Sequence, residues 1–222
     1  MSKCLVTGAS GSIGSAIKNE IDKSGEYETL GLNSQVCDLS DPESVNSYLS
    51  SVNLDNVSAL VFCAGINEPK SLIETNDVSF KRTLEVNLLG HKKILDQVLP
   101  SMSENKFGRI VAVSSLYSNR ARAGRWAYSA SKAALEALIR SIAVEYSSEN
   151  IIANIVQPGF IDTALTRKNN SSAQIEKIIE RIPIGRLGTS EEIARVVEFL
   201  LSSKNTYITG QSIVVDGGVS II

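Results

Sequence analysis

Short apolar segments alternate along the chain with longer segments in which apolar residues recur at helical spacing. The short segments predict strands at Cys4–Thr7, Glu28–Leu32, Ala59–Cys63, Arg109–Ser114, Ile151–Val156 and Ser212–Val215. The longer ones predict helices at Ser12–Lys23, Asp41–Ser51, Val78–Met102, Ala127–Ser147 and Glu191–Leu201. Strands that are apolar almost throughout are typical of sheets covered by helices on both faces. The pattern therefore predicts one α/β domain over residues 1–222, with a doubly wound parallel sheet in a three-layer α/β/α structure.

A glycine-rich segment, Thr7–Gly14, follows the first predicted strand and opens the first predicted helix. In open parallel sheets, ligands bind beyond the carboxyl ends of the strands. Glycines there allow a tight turn and close approach of the backbone to a pyrophosphate, whose charge the helix N-terminus stabilises. Such a turn can also serve packing alone, but its place favours dinucleotide binding by a Rossmann-type domain. The residues that we expect to contact the cofactor here are Gly8, Ser10, Gly11, Ser12, Ile13 and Gly14.

Two residues with acid–base chemistry, Tyr128 and Lys132, are four positions apart at the start of a predicted helix and share one of its faces. An ammonium group beside a phenol favours the phenolate, which lowers a pKa that is ordinarily about 10. Ser115 comes directly after the strand Arg109–Ser114, at the edge where the fold predicts chemistry. For the pair alone, an ordinary helix with a half-buried tyrosine and a solvated lysine explains the pattern equally well.

Together these segments resemble the short-chain dehydrogenase/reductase family, and among its members most closely the 3-oxoacyl-[acyl-carrier-protein] reductases. The matching segments run in the family's order from Thr7 to Gly218: Ser115 thirteen residues before Tyr128, Glu85-Val86-Asn87-Leu88, Pro158-Gly159-Phe160-Ile161-Asp162-Thr163, Gly185–Ala194 and Val215-Asp216-Gly217-Gly218. The resemblance implies an NAD(P)-dependent oxidoreductase that moves a hydride between a nicotinamide and a carbonyl or secondary alcohol. It also implies four catalytic residues, which are Ser115, Tyr128, Lys132 and Asn87.

The resemblance gives each of these four residues a role. Tyr128 is the general acid in reduction and the general base in oxidation. Lys132 lowers the pKa of the tyrosine and binds the nicotinamide ribose, and Ser115 polarises and orients the substrate oxygen. Asn87 holds a water that links Lys132 to solvent. No metal is needed, because Ser115 and Tyr128 meet the developing oxyanion.

Further cofactor contacts follow from the same resemblance, and two positions depart from the family's pattern. The implied contacts are Asp38, Leu39, Cys63, Ala64, Gly65, Tyr128, Lys132, Pro158, Gly159, Ile161 and Thr163. Cys63 stands where the family has the asparagine of Asn-Ala-Gly. Gly11 stands one position before the usual middle glycine, as in the sugar-nucleotide-modifying branch. The second strand ends at Asn33 and Ser34, without a carboxylate to bind a ribose 2′-hydroxyl or a cation to bind a 2′-phosphate, which slightly favours NADP over NAD.

The segment between Ser115 and Tyr128 carries three arginines, Arg120, Arg122 and Arg125. Guanidinium groups bind carboxylates and phosphates well, so we expect them to contact an anionic carbonyl substrate together with Ser115 and Tyr128. Ion pairs at the surface or between subunits are the alternative. An anionic sugar or nucleotide-sugar carbonyl is accordingly the second candidate substrate. The resemblance also implies that the segment Thr166–Ile182 is a mobile flap over the substrate.

Composition and charge exclude some classes of binding partner. A formal net charge of -2 argues against nucleic acid, and no apolar run is long enough for a membrane span, so we expect a cytoplasmic protein. The odd set of Cys4, Cys37 and Cys63 predicts free thiols, and His91 is expected on the surface. The family pairs through its long helices and its C-terminal strand, which implies a homotetramer or a homodimer. A non-catalytic dinucleotide-binding sensor is the competing class, but its usual signature is loss of the tyrosine or the lysine.

Overall fold

The computed structural model describes residues 1–222 and has the alternation of strands and helices that the sequence predicts. The strands are β1 (Lys3–Thr7), β2 (Glu28–Leu32), β3 (Val57–Phe62), β4 (Gly108–Val113), β5 (Ile151–Pro158) and β6 (Ser212–Val215). The helices are α1 (Ser12–Ser24), α2 (Pro42–Ser51), α3 (Asp77–Leu84), α4 (Gly90–Glu104), α5 (Trp126–Tyr146), α6 (Ala164–Asn169), α7 (Ser172–Ile179) and α8 (Ser190–Leu201). No helix has both the length and the apolar composition that crossing a membrane requires.

All six strands are parallel and lie side by side in the order β2-β1-β3-β4-β5-β6. One cluster of 22 buried residues packs between the sheet and helices α2, α4 and α5. A second cluster, of 17 buried residues, packs between the opposite face and helices α1 and α8. The three-layer, doubly wound Rossmann-type fold is therefore confirmed. Because β2 and β3 lie on opposite sides of β1, the chain changes direction there and opens a crevice beyond the carboxyl ends of the strands.

The predicted helix Val78–Met102 is in fact three segments. A five-residue π-helix, Glu85–Leu89, joins α3 to α4, and one extra residue enters the helix there. Asn87 lies in this π-turn and is fully buried; its Oδ1 accepts from Ile66 N at 2.8 Å, and its Nδ2 donates to Ile66 O at 3.0 Å. Apolar periodicity could not show this interruption, because the inserted residue is held by polar contacts to another segment.

The segment that follows β5 forms α6 and α7, both within or beside the predicted flap Thr166–Ile182. Thr163 caps α6 through a side-chain hydrogen bond to Thr166 N, and Ser171 and Gln174 form a capping box at α7. Residues Asn170 and Ser171 join the two helices, and α6 lines one side of the crevice.

Candidate active site

A cleft of about 660 Å³ opens beyond the carboxyl ends of β1, β3, β4 and β5. All nineteen residues that the sequence assigned to cofactor contact line it. Ser115, Arg122 and Arg125 line the same cleft, whereas Asn87 and Arg120 do not. The residues came from six separate segments of the chain, and the parallel topology brings them together because each segment follows a strand or opens a helix at this edge.

The glycine loop is shaped by two contacts that only glycine permits. Gly8 has φ +68°, and a Cβ there would lie 2.8 Å from the backbone of Ala64. A Cβ on Gly14 would lie 2.1 Å from the carbonyl oxygen of Gly8. Gly11 is the N-cap of α1 and supplies no side-chain hydrogen bond, so the first N–H groups of this thirteen-residue helix face the cleft without a side-chain partner. Such a helix start suits the negative charge of a pyrophosphate.

His91 is fully buried, so the prediction of a surface position was wrong. It lies on the inward face of α4, three and four residues before the buried Ile94 and Leu95, and its ring stacks on Phe62 at 4.8 Å between centroids. The helical spacing alone did not show that a polar residue belonged to this apolar face. Burial and the charge of Lys132 lower the pKa of His91 to about 3, so the ring is neutral.

The imidazole of His91 takes part in a polar contact between α4 and the sheet. Its Nε2 lies 3.1 Å from Thr7 Oγ1, and this hydroxyl oxygen accepts from the backbone N–H groups of Cys63 at 3.0 Å and Ala64 at 3.1 Å. This cluster ties β1, β3 and α4 together next to Cys63, the position where the family's bracing asparagine is missing. The three cysteines are free thiols, as expected.

The catalytic candidates meet at the middle of the cleft. Tyr128 lies in the first turn of α5, Lys132 one turn later, and Ser115 directly after β4. Ser115 Oγ accepts from Tyr117 N at 3.2 Å, and Ser115 lines the cleft together with Tyr128. Lys132 Nζ donates to Val113 O at 2.8 Å and lies 5.9 Å from the centroid of the Tyr128 ring. The structure thus places a phenol, a hydroxyl and an ammonium group around one point of the cleft.

The electrostatics of this centre differ from the expectation in one respect. Burial raises the pKa of Tyr128, and the opposing influences are the nearby hydroxyl of Ser115 and the charge of Arg125 rather than that of Lys132. Burial also lowers the pKa of Lys132, to about 8, which reduces the charge that it can present to the phenol near neutral pH. The ammonium points to the carbonyl of Val113 instead of the phenol oxygen.

Asn87 contributes to the site from outside the cleft. It is hydrogen-bonded to the backbone of Ile66, and its Nδ2 also donates to Ser131 Oγ at 2.9 Å, so it ties the segment after β3 to α5. A Cβ on Gly65 would lie 3.3 Å from Lys132 Nζ and 3.4 Å from Asn87 Oδ1. Gly65 is therefore the small residue that separates Asn87 from the ammonium of Lys132.

The three arginines of the loop after β4 differ in place and partners. Arg120 donates to the backbone carbonyls of Val219 and Ser220 in the C-terminal tail and lies outside the cleft, so the structure does not bring it together with the other two arginines. Arg122 donates to Tyr117 Oη at 2.5 Å, and Arg125 donates from Nη1 to Asn67 Oδ1 at 2.9 Å. The sequence could not show which of three closely spaced arginines faces the cleft, because the loop has no regular periodicity.

Several lining residues carried no signal in the sequence. The cleft includes Asn67, Arg82, Tyr117, Asn169 and Asn170, which belong to no motif and are brought together only by the fold. No group of three or more His, Cys, Asp or Glu side chains is arranged to hold a metal ion.

Comparison with known proteins identifies the family. Residues 11–220 match the family model described as Enoyl-(Acyl carrier protein) reductase. The chain belongs to the short-chain dehydrogenase/reductase family and is an NAD(P)-dependent oxidoreductase acting on carbonyl or CH–OH groups. It is 36% identical to the 3-oxoacyl-[acyl-carrier-protein] reductase FabG of Pseudomonas aeruginosa, with 97% of this chain and 96% of that protein covered.

Solved structures agree with this assignment. The fold is similar to 4-hydroxyisoleucine dehydrogenase complexed with NADH, with a TM-score of 0.91, 27% identity and 100% of each chain covered. It is also similar to a structure from Beutenbergia cavernae described as an NAD(P) dependent gluconate 5-dehydrogenase with bound NADP, with a TM-score of 0.90, 27% identity, and 100% and 97% of the two chains covered. Nicotinamide dinucleotides are thus the cofactors of this fold and site.

Proposed function

We propose that Tyr128 transfers the proton in a reversible reduction of a carbonyl to a secondary alcohol. The observation that carries the proposal is that Ser115, Tyr128 and Lys132 line one cleft, with Lys132 Nζ 5.9 Å from the centroid of the Tyr128 ring. The bound nicotinamide supplies the hydride in reduction and accepts it in oxidation. In reduction the carbonyl carbon gains this hydride and the carbonyl oxygen takes the phenolic proton of Tyr128, whereas in oxidation the phenolate takes the proton back.

Ser115 and Lys132 support this proton transfer. Ser115 Oγ accepts from Tyr117 N, so its own hydrogen is available for the substrate oxygen, where negative charge develops. A lysine with a pKa of about 8 is poised to exchange a proton near neutral pH, which suits a residue that returns protons to Tyr128. Asn87 holds the segment after β3 against α5 and so fixes the distance between Gly65 and Lys132.

The dinucleotide fits along the cleft in an extended form. The start of α1 at Gly11–Ile13 suits the pyrophosphate, and the segment Pro158–Thr163 after β5 suits the nicotinamide. At the other end, Asn33, Ser34, Asp38 and Leu39 surround the adenosine position.

We favour NADP over NAD as the cofactor. Asn33 Oδ1 accepts from Gln35 N at 2.9 Å and Val36 N at 3.2 Å, which leaves the amide hydrogens of Nδ2 to face a ligand. Ser34 beside it is exposed and adds a hydroxyl donor. Hydrogen-bond donors at these two positions can bind a 2′-phosphate, whereas a carboxylate at the same place would repel it. Because an Asn33→Asp variant adds this repulsion, it should shift the ratio of the KM values for NADPH and NADH toward NADH by about tenfold or more.

A 3-oxoacyl group is the first candidate substrate, since relatives at 33% and 36% identity over nearly the whole chain are 3-oxoacyl-[acyl-carrier-protein] reductases. The second candidate is a smaller carbonyl compound with a carboxylate or phosphate, which includes anionic sugars. Arg125 is only 6% exposed, and no carboxylate pairs with it or with Arg122. Burial and the like charge of Arg122 lower the pKa of Arg125. A bound anion would offset both of these unfavourable effects on the guanidinium.

Turnover of the purified protein tests the reaction and the substrate class together. NADPH oxidation would be followed with a 3-oxoacyl thioester, with a short 3-oxo carboxylate and with the methyl ester of that carboxylate. If the anionic substrate is correct, Arg125→Met raises the KM for the carboxylate by about tenfold or more and leaves the KM for the ester unchanged. Arg120→Met is the matched control, because this arginine lies in the same loop but outside the cleft.

Three outcomes are distinct. Turnover of the thioester alone, with no effect of Arg125→Met, supports the 3-oxoacyl substrate and eliminates the anionic one. An equal rise in KM for acid and ester assigns Arg125 a packing role. Failure to bind either NADPH or NADH eliminates the proposed reaction itself and leaves a protein of this fold without catalysis.

Assembly and location stay predictions. A homotetramer or homodimer is supported by side chains such as Val144 at 86% and Ile221 at 86% exposure, which a partner subunit would cover. A cytoplasmic location is supported by free thiols, which a reducing compartment maintains.

A further inference from the structure

A second polar cluster lies between α5 and the sheet and takes no part in the proposed proton transfer. Its centre is Glu136 in α5, which is only 4% exposed. Its Oε1 accepts from Ser114 Oγ at 2.6 Å and from Gln157 Nε2 at 2.7 Å. Its Oε2 accepts from Arg140 Nη1 at 3.2 Å and from Ser212 Oγ at 3.4 Å. One buried carboxylate thus joins α5 to the ends of β4 and β5 and to β6.

The hydrogen bonds continue from this carboxylate to the catalytic serine. Gln157 Nε2, with one hydrogen donated to Glu136, donates the other to Ser118 Oγ at 3.0 Å. The hydroxyl of Ser118 accepts there and donates its own hydrogen to the carbonyl oxygen of Ser115 at 2.8 Å. A carboxylate can only accept, so it fixes the orientation of the amide and then of the hydroxyl. The direction of each hydrogen bond up to Ser115 therefore follows from Glu136.

The charge of Glu136 is maintained at neutral pH. Burial alone would raise the pKa of this carboxyl group, but the hydrogen bonds that Ser114, Gln157 and Arg140 donate outweigh burial and hold the pKa below its usual range. Hydrogen bonds to an ionised acceptor are shorter and stronger than neutral ones. The network is consequently stiffer than the same chain would be with a neutral residue at its centre.

We propose that Glu136 is a positioning residue for the reaction, which through Gln157 and Ser118 holds the backbone of Ser115 where its hydroxyl meets the substrate oxygen. The inference rests on the proposed function, in which Ser115 stabilises that oxygen. Small displacements of a group that stabilises the transition state reduce turnover more than they reduce binding of the cofactor. The cofactor loop of α1 is not part of this network, so its affinity for the dinucleotide is not expected to depend on Glu136.

A double-mutant cycle on kcat tests the connection. Glu136→Gln preserves the shape of the side chain but removes its charge, and Ser118→Ala removes the last donor before Ser115. Each single variant should lower kcat by about tenfold while the Kd for NADPH changes by less than about twofold. Because both act through the same hydrogen-bonded chain, the double variant should lose little more than the worse single variant. Glu145→Gln, on an exposed position of α5, is the matched control and should leave kcat unchanged.

The outcomes separate this inference from the proposed function. Unchanged kcat in Glu136→Gln overturns the inference, and so do two losses that multiply to about a hundredfold, because independent sites give additive free energies. Thermal unfolding of each variant identifies a loss caused by unfolding, in which case the more conservative Ser118→Ala decides. If Tyr128→Phe retains the activity of the natural chain, the proposed function itself has failed; if only Glu136→Gln is silent, the positioning role alone has failed.

Discussion

Each end of the parallel sheet has a buried arginine, and the two arginines differ in their hydrogen-bond partners. At the amino end, Arg109 is only 3% exposed and donates from Nη1 to the carbonyls of Gly108 at 2.8 Å and Asn150 at 2.9 Å. Its guanidinium also lies 4.4 Å from the centre of the Phe107 ring. At the carboxyl end, Arg125 is similarly buried but makes one side-chain hydrogen bond, to Asn67, and lines the cleft.

The comparison shows what distinguishes a structural charge from a functional one. Both arginines are buried and burial lowers the pKa of both, so neither burial nor a pKa shift identifies the site. The difference is that Nη1 of Arg109 donates to two backbone carbonyls away from the cleft, whereas Arg125 donates to Asn67 and lines the open cleft with Tyr128. A charged group with unused donors toward a cavity is prepared for a ligand.

The largest expected effect is at the carboxyl end. Tyr128→Phe removes only the hydroxyl that exchanges the proton, so kcat should fall by about 10²- to 10⁴-fold. The thermal midpoint should stay the same or rise, because a buried phenol with a raised pKa is replaced by an apolar ring of the same shape. Steady-state kinetics and thermal unfolding of the same preparation measure both. A loss of stability that parallels the loss of activity would contradict the distinction between the two ends.

Exchanging the two arginines in turn for methionine sharpens the comparison. Arg109→Met removes the two hydrogen bonds that Nη1 donates to the carbonyls of Gly108 and Asn150, so the free energy of unfolding should fall by about 1–3 kcal/mol while kcat and KM stay unchanged. Arg125→Met should leave the free energy of unfolding unchanged or raise it, because an unpaired buried charge is removed. Urea unfolding measures both values. A larger loss for Arg125→Met than for Arg109→Met would show that Arg125 is structural.

The same distinction explains how much the sequence could predict. The short apolar segments predicted the ends of every strand to within two residues, because a strand that is buried on both faces is apolar almost throughout. The chemical motifs located Ser115, Tyr128 and Lys132, because each follows a strand or opens a helix. The π-turn at Asn87 and the inward position of His91 were missed, since both depend on partners in other segments. Glu136 was missed for the same reason: a carboxylate in a helix has no local sign that four donors from other strands and its own helix surround it.

The smallest expected effect concerns His91, the only histidine of the chain, which lies at the carboxyl end of β1 against Thr7. Its pKa is about 3 in the folded state, while an unfolded chain has the ordinary value near 6.5. Between these values the unfolded chain binds one proton more than the folded chain, so stability is lost as the pH falls through this window. The slope contributed by this one residue approaches about 1.4 kcal/mol per pH unit.

The slope can be assigned to His91 by urea unfolding at pH 7.0, 6.0 and 5.0, above the range in which most carboxylates take up protons. His91→Phe keeps a ring against Phe62 and removes the titrating group, and Thr7 Oγ1 can still donate to Val61 O at 3.2 Å. We expect the free energy of unfolding to decrease with falling pH in the natural chain and to change little in the variant. An equal slope in both proteins would mean that His91 accepts a proton within the fold, and that the carboxyl end of the sheet tolerates a charge at this position as the amino end does at Arg109.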